Sequence, residues 1–307
     1  ELVVIKSSVD GRRLNVEQTL DAINSNLASG KHSVEFDFDE IKPTVSDDVR
    51  AGEMGISEMV SSATTFFRGS EQARLNNIMV GGKTMHGVVV APGEVFSFNN
   101  LLGDVSLDTG FAEAWIIYGG RTIQGVGGGI CQVSTTAFRA AFFGGYPTVE
   151  RNPHAYRVGY YEQGPDSPGP GLDATVFKPL ADFRFRNDRQ AWLLINVEFR
   201  GDQDSITFMF YSSDDGRKVT VEPAVVSNVV VPDPAQYEES SDLATGVIKQ
   251  VDWAADGADV SVRRVVERDG EALIDEELTT RYLPWQSVYQ YGPGTDLPKE
   301  LDTAVAP

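Results

Sequence analysis

The stretch Gly125-Val126-Gly127-Gly128-Gly129-Ile130-Cys131-Gln132-Val133-Ser134-Thr135-Thr136 constrains the fold of this 307-residue chain more than any other, and it holds the single cysteine. A glycine run lets backbone amides approach a ligand closely and adopt conformations closed to other residues. Behind it, Val133, Ala137, Ala140 and Ala141 recur at helical spacing, which predicts a helix to Phe143 closed by Gly144-Gly145 and buried against a sheet. A helix N-terminus presents unpaired N–H groups and the positive end of a dipole. Together these features favour a thiolate at Cys131 and stabilise a developing oxyanion. Gly127, Gly128 and Gly129, with Gln132, Ser134 and Thr135, are therefore candidates for oxyanion and substrate binding. The other reading of Cys131 is a small buried hydrophobe.

A cysteine nucleophile needs an imidazole to take and return a proton, and a third group to fix the ring. His154 follows Cys131 by 23 positions and is expected at the start of a strand beside the helix; Asp173, in Leu172-Asp173-Ala174-Thr175, is expected to open the next long strand. A Cys, His, Asp order on helix, strand and strand resembles the papain and transglutaminase arrangement, a likeness at fold level only. His154 also reads as a hydrogen-bonded turn residue after Pro153, and Asp173 as a turn residue before a strand. His86 is the reserve base, while His32 reads as a surface residue. One cysteine and three scattered histidines fit no zinc spacing. Asp37, Asp39 and Glu40 lack the loop glycine of a calcium site. No metal and no cofactor are expected.

Charge narrows the partners. Forty-five acids against twenty-six Lys plus Arg give a formal charge of −19, which repels nucleic acid and anionic lipid. No segment approaches eighteen apolar residues, so a membrane contact is expected only through a segment this chain lacks. It opens at Glu1 in mid-pattern, the expectation being that a signal or anchor has been removed. A monomer is expected.

Three composition regimes predict an α+β protein. Residues 1–45 read as a small α/β piece: a strand at Leu2–Ile5, an amphipathic helix from Val16 to Leu27 with Asn15 as its cap, and a strand from His32 to Ile41. Residues 46–212 carry the chemistry. Helices are expected at Ser57–Phe67 and Glu71–Val80, and strands at Val88–Glu94 and Val95–Phe98. A hairpin is expected across Gly119-Gly120, then the cysteine helix. Strands follow around Thr148–Arg151, Tyr156–Tyr161, Asp173–Phe177, Ala181–Phe185, Trp192–Phe199 and Ser205–Tyr211, so the helix faces an antiparallel sheet. Residues 217–296 read as a small all-β module with a hairpin at Asp269-Gly270 and no catalytic constellation. Its aromatics Trp285, Tyr289 and Tyr291 are sugar-stacking candidates or simply core. Residues 297–307 read as a tail.

Residues from about Glu71 to Asp188 resemble a VanW domain. The matching pieces are Asn76-Asn77-Ile78, Ala91-Pro92-Gly93-Glu94-Val95-Phe96-Ser97-Phe98-Asn99, Gly127 to Thr136, Glu150-Arg151-Asn152-Pro153-His154 and Leu172-Asp173-Ala174-Thr175-Val176. Residues 1–45 resemble the C-terminal part of the peptidoglycan-binding domain that often precedes VanW. Gly246 to Gln250 through Gly292 to Thr295 resemble a G-five-type β module of bacterial surface proteins. The resemblance implies an extracytoplasmic, cell-envelope role. It also implies L,D-transpeptidation, in which an acyl-enzyme on Cys131 gives 3–3 peptidoglycan cross-links between stem peptides. It adds Arg151 to the substrate-binding candidates. One departure is the Pro- and Gly-rich stretch Glu162–Gly171 before Asp173, longer than the family pattern, where a loop could gate the cleft. The alternative is a non-catalytic protein that only binds peptidoglycan or glycan.

Overall fold

The computed structural model describes residues 2–118, 121–162, 164 and 167–297. The chain divides into two compact units, Glu1–Met54 and Gly55–Pro307. In the first, β1 (Gly11–Leu14) leads into α1 (Val16–Ala28) and pairs antiparallel with β2 (Phe38–Ile41). Asn15 caps α1, its side chain accepting from the Gln18 amide at 3.1 Å. Two expectations are corrected here. Leu2–Ile5 is irregular, having no partner strand, and the strand expected from His32 begins only at Phe38. On α1, the apolar residues Val16, Leu20 and Leu27 are exposed.

The second unit runs β3 (Glu58–Phe66), α2 (Gln72–Met85), β4 (Val88–Val90), β5 (Val95–Ser97), α3 (Phe98–Leu102), β6 (Glu113–Tyr118), β7 (Arg121–Val126), α4 (Ile130–Phe143) and β8 (Thr148–Glu150). After a 3-10 turn at Gly159–Glu162 come β9 (Arg184–Arg186), β10 (Leu193–Arg200), β11 (Ser205–Ser212), β12 (Lys218–Val221), β13 (Val225–Val230) and β14 (Gln236–Glu239). The last four are β15 (Ile248–Asp252), β16 (Gly257–Arg268), β17 (Glu271–Tyr282) and β18 (Val288–Tyr291). Helices and mostly antiparallel sheets make this an α+β fold. The cysteine helix α4 packs on the antiparallel sheet β3-β11-β10-β4. Strands β6 and β7 pair as a hairpin, whose expected turn at Gly119-Gly120 lies outside the described residues.

Ser57–Phe67, expected as a helix, is the edge strand β3. Its inward face alternates Ser61, Ala63 and Thr65, small residues that let α4 approach. Thr65 and Thr136 hydroxyls meet at 2.7 Å, and Ser61 donates to the Ala140 carbonyl at 2.6 Å. Because polar groups do that packing, the hydrophobic periodicity misreads the segment.

Tyr156–Tyr161 is also no strand, since it ends in the 3-10 turn. Asp173–Phe177 makes only single bridges, Asn152 to Thr175 and Phe177 to Ala181. Side chains replace the missing neighbour strand there: Arg139 Nε donates to the Leu172 carbonyl at 2.7 Å and Arg151 Nε to that of Asp173 at 2.6 Å.

No gap in packing marks the boundary expected near 212–217. Val262 of β16 belongs to the same hydrophobic core as Val133 and Phe138 of α4. Fully buried Arg264 donates to the Phe142 and Tyr146 carbonyls at 2.7 and 3.2 Å, and its guanidinium lies 4.3 Å from the Phe142 ring centre. It also pairs with Glu276 at 2.5 Å. The β16–β17 hairpin turns at Asp269-Gly270, both at positive φ (54° and 83°), as the sequence predicts. Replacing Arg264 by Ala would strand two carbonyls and a carboxylate, so we expect a loss of about 3–5 kcal/mol in urea unfolding. A loss below about 1 kcal/mol would show that β16 is not coupled to the α4 core.

Candidate active site

The glycine run is shaped by one buried asparagine. Asn77, on α2, donates from Nδ2 to the Ala112 and Gly128 carbonyls, both at 2.9 Å, and accepts from the Ala112 amide at 2.7 Å. Gly127 and Gly129 sit at φ +95° and +110°, and Gly129 forms the cap of α4. A Cβ on Gly128 would lie 2.4 Å from the Trp115 carbonyl oxygen, so no side chain fits. The amides of Gly128, Gly129 and Cys131, at the entrance of α4, donate to no acceptor among the described residues.

Cys131 is the second residue of α4 and half-buried. Its sulfur lies 3.2 Å from the Thr175 hydroxyl and 3.6 Å from the Val176 carbonyl. The His154 imidazole couples to it electrostatically. His154 is buried on an irregular loop after β8, not on a strand as expected. Its Nδ1 meets Asp173 Oδ2 at 2.5 Å, and its backbone amide donates to the same oxygen at 2.7 Å. The ring packs on Tyr161, with centres 5.4 Å apart.

Asp173 is buried and its second oxygen is also taken. Tyr282, from β17, donates its hydroxyl to Oδ1 at 2.5 Å, and Arg151 Nη2 donates there at 3.1 Å. Arg151 also reaches Thr280 Oγ1 at 2.8 Å. Burial pushes the Asp173 carboxyl upward, yet His154, Arg151 and Tyr282 hold it well below the usual carboxylate range. Burial opposes charge on His154, but Asp173 and then Cys131 outweigh it, and the imidazole is pushed up to about 10. Burial likewise favours a neutral thiol. The hydrogen bond and charge of His154, with Thr175 behind them, outweigh it, so Cys131 titrates below an ordinary thiol. Both directions favour a thiolate–imidazolium pair, which suits attack on an electrophilic carbon.

Residues 73–211 match the family model described as VanW like protein. This segment is a VanW-like domain. Uncharacterized protein YoaR of Bacillus subtilis (strain 168) is 38% identical over 158 residues, 52% of this chain and 49% of that protein. Vancomycin B-type resistance protein VanW of Enterococcus faecalis (strain ATCC 700802 / V583) is 27% identical over 132 residues, 42% of this chain and 47% of that protein. The chain thus spans about half the length of these curated relatives. Among solved structures, HP0197-G5 covers 26% of this chain and 100% of its own at 18% identity, with a TM-score of 0.13. The IgA1 protease G5 domain covers 26% and 96% at 17% identity, with a TM-score of 0.16. At those TM-scores they establish no shared fold.

Within the VanW-like domain, Cys131, His154 and Asp173 come together, while four other candidates play different parts than expected. Gln132 is fully buried: it donates to Thr65 Oγ1 and the Phe66 carbonyl and accepts from Arg74 at 2.7 Å. Ser134 and Thr135 donate to the Ala174 carbonyl at 2.6 and 3.2 Å, tying the Asp173 segment to α4. Arg151 is spent on Asp173 and its neighbours. These hydrogen bonds hold all four within the protein around the Asp173 segment and β3. His86 Nδ1 accepts from the Val197 amide at 3.0 Å on the β4–β10 side and takes no part. Exposed His32 lies in the first unit. In the Glu162–Gly171 stretch, Gln163, Pro165 and Asp166 lie outside the described residues.

The sequence reading missed Tyr282, Thr280, Thr175 and Asn77. Tyr282 and Thr280 come from the region read as having no catalytic constellation, and they support Asp173 and Arg151. Local pattern could not find them, because Tyr282 lies 109 residues after Asp173.

Two outcomes follow. Iodoacetamide alkylation of Cys131 should show an inflection below about 8.5, and His154→Ala or Asp173→Asn should move it upward. An inflection at or above the free-thiol value in the unaltered protein contradicts the ion pair. Tyr282→Phe leaves a buried carboxylate oxygen with one donor fewer and should cost about 2 kcal/mol of stability in urea; an unchanged midpoint would mean the phenol does not support Asp173.

Proposed function

We propose that this chain is a cysteine acyl-transferase of the bacterial cell wall, acting on peptidoglycan stem peptides. The observation that carries this reading is the continuous chain from the Cys131 sulfur through His154 to the fully engaged Asp173 carboxylate. The thiolate attacks the carbonyl carbon of a stem-peptide amide. Amides of the glycine run and of Cys131 itself receive the oxyanion. His154 gives its proton to the departing amine, leaving a thioester on Cys131. An acceptor amine then attacks the thioester, His154 takes the proton from its nitrogen, and the thiolate is released.

The family resemblance refines the transfer to L,D-transpeptidation, in which the acceptor belongs to a second stem peptide and the product is a 3–3 cross-link. The relative named as a vancomycin resistance protein is in keeping with work on the wall. We place the chain in the cell envelope, acting outside the cytoplasm; no helix among the described residues is long and apolar enough to cross a membrane.

Incubation with defined muropeptides, followed by intact-protein mass spectrometry, tests the proposal. A hydroxylamine-labile adduct on Cys131 and a cross-linked product should form, and both should vanish in Cys131→Ala while binding persists. Muropeptide binding without adduct or product would favour a protein that only holds the wall.

A further inference from the structure

Away from Cys131, a pocket of about 460 Å³ opens between β7 and the strands β14, β15 and β18. It falls in the size range of small-ligand sites. Its wall gathers apolar side chains that packing leaves in solvent: Val230, Val231 and Leu283 are 52%, 76% and 53% exposed. Trp285 also lines it, 8% exposed, its ring tilted against Tyr156 with centres 4.2 Å apart.

The charges in this pocket are unbalanced. Asp252 lines it and is only 6% exposed, yet its carboxylate has no hydrogen-bond or ion-pair partner among the described residues. Asp233, on the same wall, has none either. The cation at the rim, Arg121, pairs with Glu238 at 3.4 Å. A carboxylate that lines a largely apolar pocket without a cation of its own favours one from a ligand. No group of three or more metal-ligating side chains exists among the described residues, and aliphatic walls suit a carbon chain better than a hydrated ion.

We propose that this pocket binds an aliphatic primary ammonium group, with Asp252 as its counter-charge and the valine and leucine wall along its methylene stem. Such an amine is offered by a lysine-like side chain in a peptide or by a free diamine. The backbone places the pocket next to the catalytic loop, since the Leu283 amide donates to the Ala155 carbonyl at 2.8 Å, one residue beyond His154. Binding does not depend on acyl transfer.

Calorimetric titration of the full chain with Nα-acetyl-L-lysine amide, its neutral analogue Nα-acetyl-L-norleucine amide, and cadaverine tests this. The lysine amide or cadaverine should bind saturably, whichever is tighter naming the source, and the norleucine amide at least about tenfold more weakly. Asp252→Asn should weaken the ammonium ligands at least about tenfold, and Cys131→Ala should leave them unchanged. Equal binding of the lysine and norleucine amides by the unaltered protein, or no saturable binding of either amine at millimolar concentration, would overturn the proposal. So would unchanged affinity in a folded Asp252→Asn.

Discussion

Asp173 is the charge on which the site depends. A buried carboxylate survives only if donors surround it, and here there are four: the His154 amide, His154 Nδ1, Arg151 and Tyr282. They come from one loop, from the residue after β8 and from a strand more than a hundred residues on. Since Nδ1 faces Asp173, the other ring nitrogen is the one turned to Cys131, which fixes both the orientation of the ring and the route of the proton. The charge held on Asp173 keeps a proton on His154, and His154 in turn favours the thiolate. Remove the carboxylate, and both steps weaken together.

The rest of the domain holds these three groups still. Helix α4 buries Gln132, Ser134, Thr135 and Thr136, polar residues that a helix core normally avoids. Each is hydrogen-bonded, to β3, to α2 or to the irregular segment carrying Asp173. That segment is short of strand partners and is held instead by Arg139, Arg151, Ser134 and Thr135. Asn77 does the same for the glycine loop. Positions that look like substrate contacts in the sequence thus also carry internal hydrogen bonds, and the amides of Gly128, Gly129 and Cys131 remain without an acceptor among the described residues.

Much of this was legible beforehand. Cysteine behind a glycine run marks a helix entrance, and Cys131, His154 and Asp173, each in a short family-like motif, are groups that meet. Asp269-Gly270 marks a hairpin because both residues must take positive φ. The misreadings have a shared cause. Ser57–Phe67 packs through hydroxyls, so apolar spacing says nothing about its period; Asp173–Phe177 and Tyr156–Tyr161 have strand-like composition but find no neighbour. Tyr282 supports Asp173 only because β16 and β17 dock on α4 through Val262 and Arg264. No local pattern in the sequence records that long-range packing.

The state of His154 decides the account most directly. Nitrogen NMR of 15N-histidine-labelled protein, followed over pH, should show an imidazolium through neutrality that loses its proton at about 10. A His154 ring that is neutral at pH 7 and titrates near about 6.5, as a free histidine does, would contradict it.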